Sequence, residues 1–418
     1  MQASHAWRGD SAVFDEDNLV SHAGLVPLLE LGEQAGLSRL LEEHVRFTSE
    51  RVKSGAANST PKLTAIIAGM AAGADGIDDL DVVRAGGMSK VFGGVYANAT
   101  LGILLREFTH GHTRQLAAVL RKHLVALAGR STVLSGIKER CFIDIDSLLR
   151  PVYGKTKQGA SFGHTKIAGK DILRRGLSPL AVTICTPKAA PVVAAVRLRA
   201  GRAGSARGAA SMLTEAINTA KAAGAPAANI LVRGDSAFCA GKVIAAVVKA
   251  GAQFSFAIAR NSAVDAAINS IGQDAYIPVQ YPGALEDPDT GQLISDAHVA
   301  EVRYTAFAGT RYEFTGWLVV RRVLDANTQD PLFPVWRYHP FFTNNTEPVT
   351  QADITHRQHA ICETVWSDLI DGPWAHQPSG SFGANAAWTI LAAICHNLLR
   401  AAGTLTVPRQ ELGSRFFG

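Results

Sequence analysis

Cys141-Phe-Ile-Asp-Ile-Asp-Ser147 is the stretch on which the reading of this chain turns. Its alternation has a period of two, which predicts a short strand over Cys141–Asp146 with Phe142, Asp144 and Asp146 on one face and Ile143 and Ile145 on the other. An acid in so apolar a strand is costly to bury unpaired. Asp144 and Asp146 therefore either cap a turn or pair with an arginine, or they hold a cation. The strand alone leaves both open.

Working outward toward the C-terminus, Leu180–Thr186 and Val192–Leu198 are two further β-rich runs, separated by a turn around Pro187–Pro191. Ala209–Ala223 reads as a helix ended by Gly224 and Pro226. Ile230–Arg233 is a strand that delivers Gly234 and Asp235, and a helix over Gly241–Lys249 leads to a strand at Phe254–Ala259. Residues 265–348 change character, being rich in Pro, Gly, Asp and aromatics with strand-like runs at Val302–Phe307, Tyr312–Val323 and Trp336–Thr343. Helix resumes near Gln351 and runs to Asp371, with Thr350 and Asp353 spaced as a capping box and Gly372-Pro373 as the stop. A last long helix covers Gly383–Ala402.

Toward the N-terminus, residues 20–135 read as helical, with helices at Lys62–Ala72, Thr100–Phe108 and Arg114–Leu127. Two short leucine-rich helices flank Gly36, either a helix-turn-helix or an ordinary αα-hairpin. Three strands, a helix, a strand, a helix and a strand, then an insertion and a helix, is the order of an RNase H-like α/β fold. The expected core is a mixed five-stranded sheet with flanking helices. The expected domains are an all-α N-terminal domain (1–137), to which the resemblance given below assigns DNA binding, the first part of the core (138–264), a β-rich insertion (265–348) and the C-terminal core helices (349–418).

In such a fold the first and fourth strands are neighbours, so Asp144 or Asp146 would face Asp235, and Glu363 on the helix after the insertion would close the site. Hard divalent ions such as Mg²⁺ prefer carboxylate oxygens and keep several waters, so two or three carboxylates with phosphate oxygens suffice. Two ions about 3.5–4 Å apart can activate an attacking oxygen and stabilise a leaving one.

Composition narrows the field without deciding it. Forty-one Lys+Arg against 36 Asp+Glu give a net charge of +5, which suits a nucleic-acid partner and many metabolic enzymes equally. Five dispersed cysteines with no C-x-x-C spacing predict reduced thiols rather than a disulfide framework or zinc knuckle. The first thirty residues lack an apolar signal core, and Ala384–Ala402 contains Asn385, His396, Asn397 and Arg400, predicting a packed core helix rather than a membrane span. A cytoplasmic protein with no membrane partner is expected.

Other motifs fail on inspection. Gly154-Lys155-Thr156 lacks the first glycine of a Walker A loop, since Leu149 stands there. His110-Gly-His112 has no third ligand nearby in sequence, and Ser236 is not in a G-x-S-x-G elbow. Gly201–Ser205, beside Arg197, Arg199, Arg202 and Arg207, is either a solvated loop or a basic loop at DNA phosphates.

Phe142-Ile-Asp-Ile-Asp-Ser147, Arg233-Gly-Asp-Ser-Ala-Phe238 and His356-Arg-Gln-His-Ala-Ile-Cys-Glu363 resemble the three catalytic blocks of DDE transposases of bacterial insertion sequences, closest to the insertion-sequence 1380 group. The resemblance extends to Gly73–Asp81, Thr100–Gly102, Phe108–His112, Tyr153–Ala160, Pro378–Phe382 and His396–Arg400. It implies Asp146, directly before Ser147, as the first acid, with Asp144 as the alternative metal ligand, and Asp235 and Glu363 as the second and third. It also implies Mg²⁺ (Mn²⁺ as substitute), double-stranded DNA as terminal inverted repeats and target, cutting and joining by phosphoryl transfer, and at least a dimer on two DNA ends. Where related transposases carry a Tyr, Arg, Glu, Lys series, this chain reads His356, His359, Glu363 and Ile370; the two histidines could contact DNA phosphate instead. Leu405–Gln410 departs from the family's pattern and the chain ends earlier than its members. The alternatives are therefore a truncated or inactive DNA-binding relic, and an RNase H-like metal-dependent nuclease.

Overall fold

The structure is a computed structural model that describes residues 18–47, 55–167, 170–279, 297–324 and 335–406. Most of the divergent Leu405–Gln410 stretch lies outside them. Five helices come first: α1 (Leu25–Gln34), α2 (Leu37–His44), α3 (Ser59–Ala71), α4 (Asn98–Arg106) and α5 (His110–Ala128). Gly36 joins α1 to α2 at φ +77°, a left-handed conformation that glycine adopts without a Cβ clash. Leu37, Leu40 and Leu41 of α2 are buried, while its exposed face carries Glu42 and Glu43, with Arg39 paired to Glu43 at 3.8 Å. The exposed face is therefore of mixed charge, with Arg39 and, just past the helix, Arg46 beside the two acids. The His110-Gly-His112 stretch opens α5: Thr109 Oγ1 accepts from His112 N–H at 3.4 Å and His112 Nδ1 accepts from Thr109 N–H at 3.1 Å. This is a capping box with histidine in the acid's place.

The central elements are β1 (Cys141–Ser147), β2 (Arg150–Pro151), β3 (Ser161–Ile167), β4 (Lys170–Leu177), β5 (Leu180–Thr186), β6 (Ala189–Arg197), α6 (Ala209–Ala222), β7 (Ile230–Gly234), α7 (Gly241–Lys249) and β8 (Gln253–Ala257). β1 pairs antiparallel with β5 and parallel with β7, and β7 pairs parallel with β8. The side-by-side placement of the first and fourth core strands is thus present. A hairpin, β3 and β4, joins β2 in a separate three-stranded sheet that the sequence pattern does not reveal. Its apolar residues Phe162 and Leu173 are exposed, so no buried face imposes a period of two. This sheet crowds the loop after β6: a Cβ on Gly201 would run into the carbonyl oxygens of Ser161 and Gly176.

After α8 (Ser262–Asn269) come β9 (Ile277–Val279), β10 (Ala297–Ala306), β11 (Phe314–Leu324) and β12 (Trp336–Thr343). They widen the core sheet instead of standing apart from it. The order is β6-β5-β1-β7-β8-β12-β11-β10-β9, a nine-stranded mixed sheet where five strands were expected. The reason is the open edge of β8, on which β12 docks antiparallel with Phe341, Phe342 and Thr343 opposite Ala257, Phe256 and Ser255.

The remaining helices are α9 (Val349–Arg357), α10 (Cys362–Ile370) and α11 (Phe382–Thr406). The single helix predicted from Gln351 to Asp371 is broken by a 3₁₀ turn at Gln358–Ile361, and Pro348 occupies the N-cap, so Thr350 lies inside the helix and caps nothing. Among the described residues α11 alone is long and apolar enough to cross a membrane, yet 83% of that window is buried in the protein. It packs with α2–α5 and with Ala181, Val193 and Val196 of β5 and β6 in one core. Asn397 is satisfied there by the Val193 N–H and carbonyl, both at 2.8 Å. On the other face of the sheet, Ile143 and Ile145 share a core with residues of α6 and α7.

Candidate active site at the carboxyl ends of β1 and β7

The parallel register sets Asp144 opposite Arg233 and Ile145 opposite Gly234. One residue further on, Asp146, still paired with Ala181 of β5, lies near Asp235, the first residue past β7, at the carboxyl end of the sheet, where open α/β sheets place their ligands. Asp235 is exposed, and its Oδ1 accepts from Ala237 N–H at 2.9 Å, capping a 3₁₀ turn. Asp146 is half-buried, with Oδ1 accepting from Ser147 N–H at 2.6 Å and Oδ2 from Trp366 Nε1–H of α10 at 3.0 Å. Burial pushes the Asp146 carboxyl up to about 6; the Asp235 charge adds to the rise, while the Ser147 and Trp366 hydrogen bonds oppose it.

Asp144, two residues earlier on the same face, is already spoken for. It is 1% exposed and receives Arg233 Nε at 2.7 Å and Nη2 at 2.8 Å, a bidentate pair. His359 Nδ1 lies 2.9 Å from Oδ1, and Cys185 Sγ–H donates to Oδ2 at 3.7 Å. Burial disfavours its ionised form, but Arg233 and His359 outweigh burial and hold the carboxyl below its ordinary value. A carboxylate so engaged has no lone pair turned toward a metal, and of the two sequence readings of Asp144 the arginine pair is the one realised. Arg233 also donates Nη1–H to the Thr355 carbonyl at 2.7 Å and lies over the Phe142 ring at 4.3 Å. The end of α9 is thereby tied to the two strands where the helix gives way to the 3₁₀ turn. Sequence reasoning missed Arg233 and Trp366. The signal for Arg233 was its spacing, two residues before Asp235 as Asp144 is two before Asp146.

His356 is turned inward. Its ring stacks on Phe341 (4.2 Å, 6°) and Nδ1 bonds Ser255 Oγ at 2.8 Å. Burial, with His359 and Arg233 adding, depresses its pKa to about 3, so it carries no charge for phosphate. Arg199 is likewise consumed: it is buried and donates to the carbonyls of Ser178, Gly204, Ser205 and Arg207 and to Ser178 Oγ. It fixes the loop on which Arg202 and Arg207 stand exposed. Arg197 joins an ion-pair network with Glu215.

Glu363 is exposed in the first turn of α10. Among the described residues no three His, Cys, Asp or Glu side chains stand close enough to hold one metal ion, so Asp146 and Asp235 are adjacent strand ends while Glu363 is not gathered into a ready-made triad with them. The donor set nevertheless suits a hard divalent cation. Two carboxylates with waters and phosphate oxygens make an adequate magnesium site, and a cation would relieve the charge that disfavours Asp146 ionisation.

His123 of α5 is buried to 1% with Nε2 unpartnered, and burial lowers its pKa to about 4. For His123 and His356 the folded pKa lies below the unfolded value, so the unfolded chain takes up protons first as pH falls. Their contribution is intact above the unfolded pKa and declines as pH falls through that value, by about 2 kcal/mol each at about pH 5. Melting temperature is expected to drop between about pH 7 and about pH 5, and to drop less in His123→Leu. An equal drop in that variant would place the acid sensitivity elsewhere.

Several blocks outside the acids act as staples. Gln158 N–H donates to the Gly380 carbonyl at 3.0 Å, and Phe382 N–H to Gln158 Oε1 at 3.0 Å. Arg400 Nη2 and His396 Nε2 meet Asp368 at 2.6 and 3.2 Å, tying α11 to α10. The model of one protein family, the transposase DDE domain group 1, matches residues 11–415. No curated protein matches the chain.

Proposed function

Because the chain belongs to the transposase DDE domain family, group 1, a family of enzymes that cleave and transfer DNA strands, we propose that it is the transposase of an insertion sequence, of the 1380 type on its motif blocks. It would cut at the element's terminal inverted repeats and join the freed ends to target DNA. The observation that carries this is the emergence of Asp146 and Asp235 from adjacent parallel strands, within an RNase H-like strand order.

On this reading Asp146, Asp235 and Glu363 would hold Mg²⁺, or Mn²⁺ in its place. The ions would stabilise charge on the phosphoryl oxygens and make a bound water more acidic. Asp146 is oriented by Trp366 and Ser147, and Asp235 by the Ala237 amide. Arg233, Asp144 and His359 act as positioning residues: they fix the end of α9 and the 3₁₀ turn, and so the start of α10 that bears Glu363. Most of the catalytic effect would come from such positioning. We place this work in the cytoplasm, on a dimer that engages two DNA ends, with the helical region of residues 1–137 contributing to repeat binding.

The test is incubation with Mg²⁺ or Mn²⁺ and a labelled duplex carrying the element's terminal repeat. Asp235→Ala and Glu363→Ala are each expected to lower cleavage on the order of a thousandfold or more while retaining repeat binding. Specific binding without cleavage by the wild type would identify an inactive relic. Cutting without end-joining would identify a nuclease, and cleavage untouched by both substitutions would remove the acids from the mechanism.

A further inference from the structure

At the same end of the sheet as the acids, three guanidinium groups share one carboxylate. Glu215 of α6 is met by Arg121 Nη1 at 2.9 Å, by Arg197 Nη2 at 3.7 Å and by Arg114. Among the described residues no second carboxylate lies within ion-pair distance of these arginines. Arg114 and Arg121 stand seven residues apart on α5, two turns along one face, and Arg197 is the last residue of β6. All three side chains remain partly open to solvent, at 39%, 21% and 27%. Burial lowers the pKa of Arg197, and the nearby Arg114 lowers it further than Glu215 can restore. A single arginine suffices to pin α5 to α6, and the two further guanidinium groups leave the cluster with a net positive charge. An anion from outside would offset it.

We infer that Arg114, Arg121 and Arg197 form a second phosphate-binding site, which takes the backbone of double-stranded DNA lying across the acid end of the sheet. This inference rests on the reading of the protein as one that acts on DNA. Its placement follows from the register: Arg197 pairs with Leu180, and Leu180 with Ser147, the neighbour of Asp146. Two strand spacings amount to about 10 Å along the sheet, less than the ~12 Å width of a major groove. The arginines lie on the α5–α6 layer and Trp366 with Asp146 on the α10 layer, so a duplex crossing that end spans both. Exposed Arg202 and Arg207, on the loop clamped by Arg199, flank the path. Guanidinium groups suit the site because a phosphodiester accepts two parallel N–H bonds. Glu215 holds the arginines in place and at the same time competes with phosphate for them.

The experiment is fluorescence anisotropy with a short labelled duplex of arbitrary sequence, in EDTA so that no metal contributes. The wild type, Arg114→Ala/Arg121→Ala and the near-isosteric Glu215→Gln are titrated over a range of salt, with circular dichroism as the folding control. The arginine pair is expected to lose about tenfold in affinity and to flatten the log–log salt dependence by about 2, roughly 0.9 per phosphate contact. Glu215→Gln is expected to bind several-fold tighter than wild type, which a network serving only stability would not produce. Unchanged affinity in the arginine variant, or a Glu215→Gln protein that binds no tighter, overturns the site while leaving the DNA reading intact. A wild type that binds no duplex overturns both.

Discussion

Asp146→Asn is expected to raise the melting temperature of the metal-free protein and to abolish strand cleavage. The two effects share a cause. Asp146 is half-buried beside the Asp235 charge, and its carboxyl sits at about 6, above its unfolded value of about 3.9. Ionising it in the folded state near neutral pH costs up to about 3 kcal/mol, and an amide of the same shape removes that cost. The sign fixes the pH window. A folded pKa raised above the unfolded one means the penalty is full above about 6 and fades as pH falls toward the unfolded value. The variant's advantage is therefore expected above about pH 6 and lost near about pH 4. Divalent metal should stabilise the wild type, because binding the folded state alone shifts the equilibrium, and should stabilise the variant much less. Calorimetry over pH, with and without Mn²⁺, measures all of this. A variant less stable than wild type at neutral pH would mean that Trp366 and Ser147 more than offset burial.

Breaking the buried pair behind the acids should have the opposite sign. Arg233 and Asp144 are both 1% exposed and bound at 2.7 and 2.8 Å. Removing either partner strands a charge in the core, at a cost of about 3–5 kcal/mol. Arg233→Met and Asp144→Leu are each expected to destabilise by that much, and the double variant by clearly less than their sum. Additive losses in chemical denaturation would show that the two side chains are not coupled. A second readout isolates positioning from bulk stability: in Asp144→Asn, amide exchange over residues 358–364 should speed up, because one neutral amide oxygen replaces the two carboxylate oxygens that Arg233 and His359 share. Unchanged exchange there would mean that α10 keeps its place without the network.

Much of the architecture was legible because it rests on local periodicity. Cys141–Asp146 alternates, its two isoleucines must be buried, and its acids therefore share the opposite face. The order of strands and helices that followed led to the adjacency of β1 and β7, and so to Asp146 beside Asp235. The β3–β4 hairpin left no such trace, because exposed Phe162 and Leu173 give it no buried face to impose a pattern. The widening of the sheet by β12 was equally hidden, since which strand covers the β8 edge is a long-range choice.

Side-chain assignments divided along the same line. The sequence by itself determined which residue types stand at the strand ends: two acids on β1, one after β7, one on a late helix. Only the tertiary structure decided which of them is free. Asp144 differs from Asp146 by two residues and nothing else visible in one dimension, yet the parallel register puts Arg233 beside the first, while the indole of Trp366 meets the second. The histidines were decided in the same way. A helix unbroken through residues 356–363 would have aligned His356, His359 and Glu363 on one face, but Arg233 reaches the Thr355 carbonyl where α9 ends and His356 turns onto Phe341. Periodicity along a chain encodes burial; the pairing of buried charges depends on partners about a hundred residues or more away, which no local pattern records.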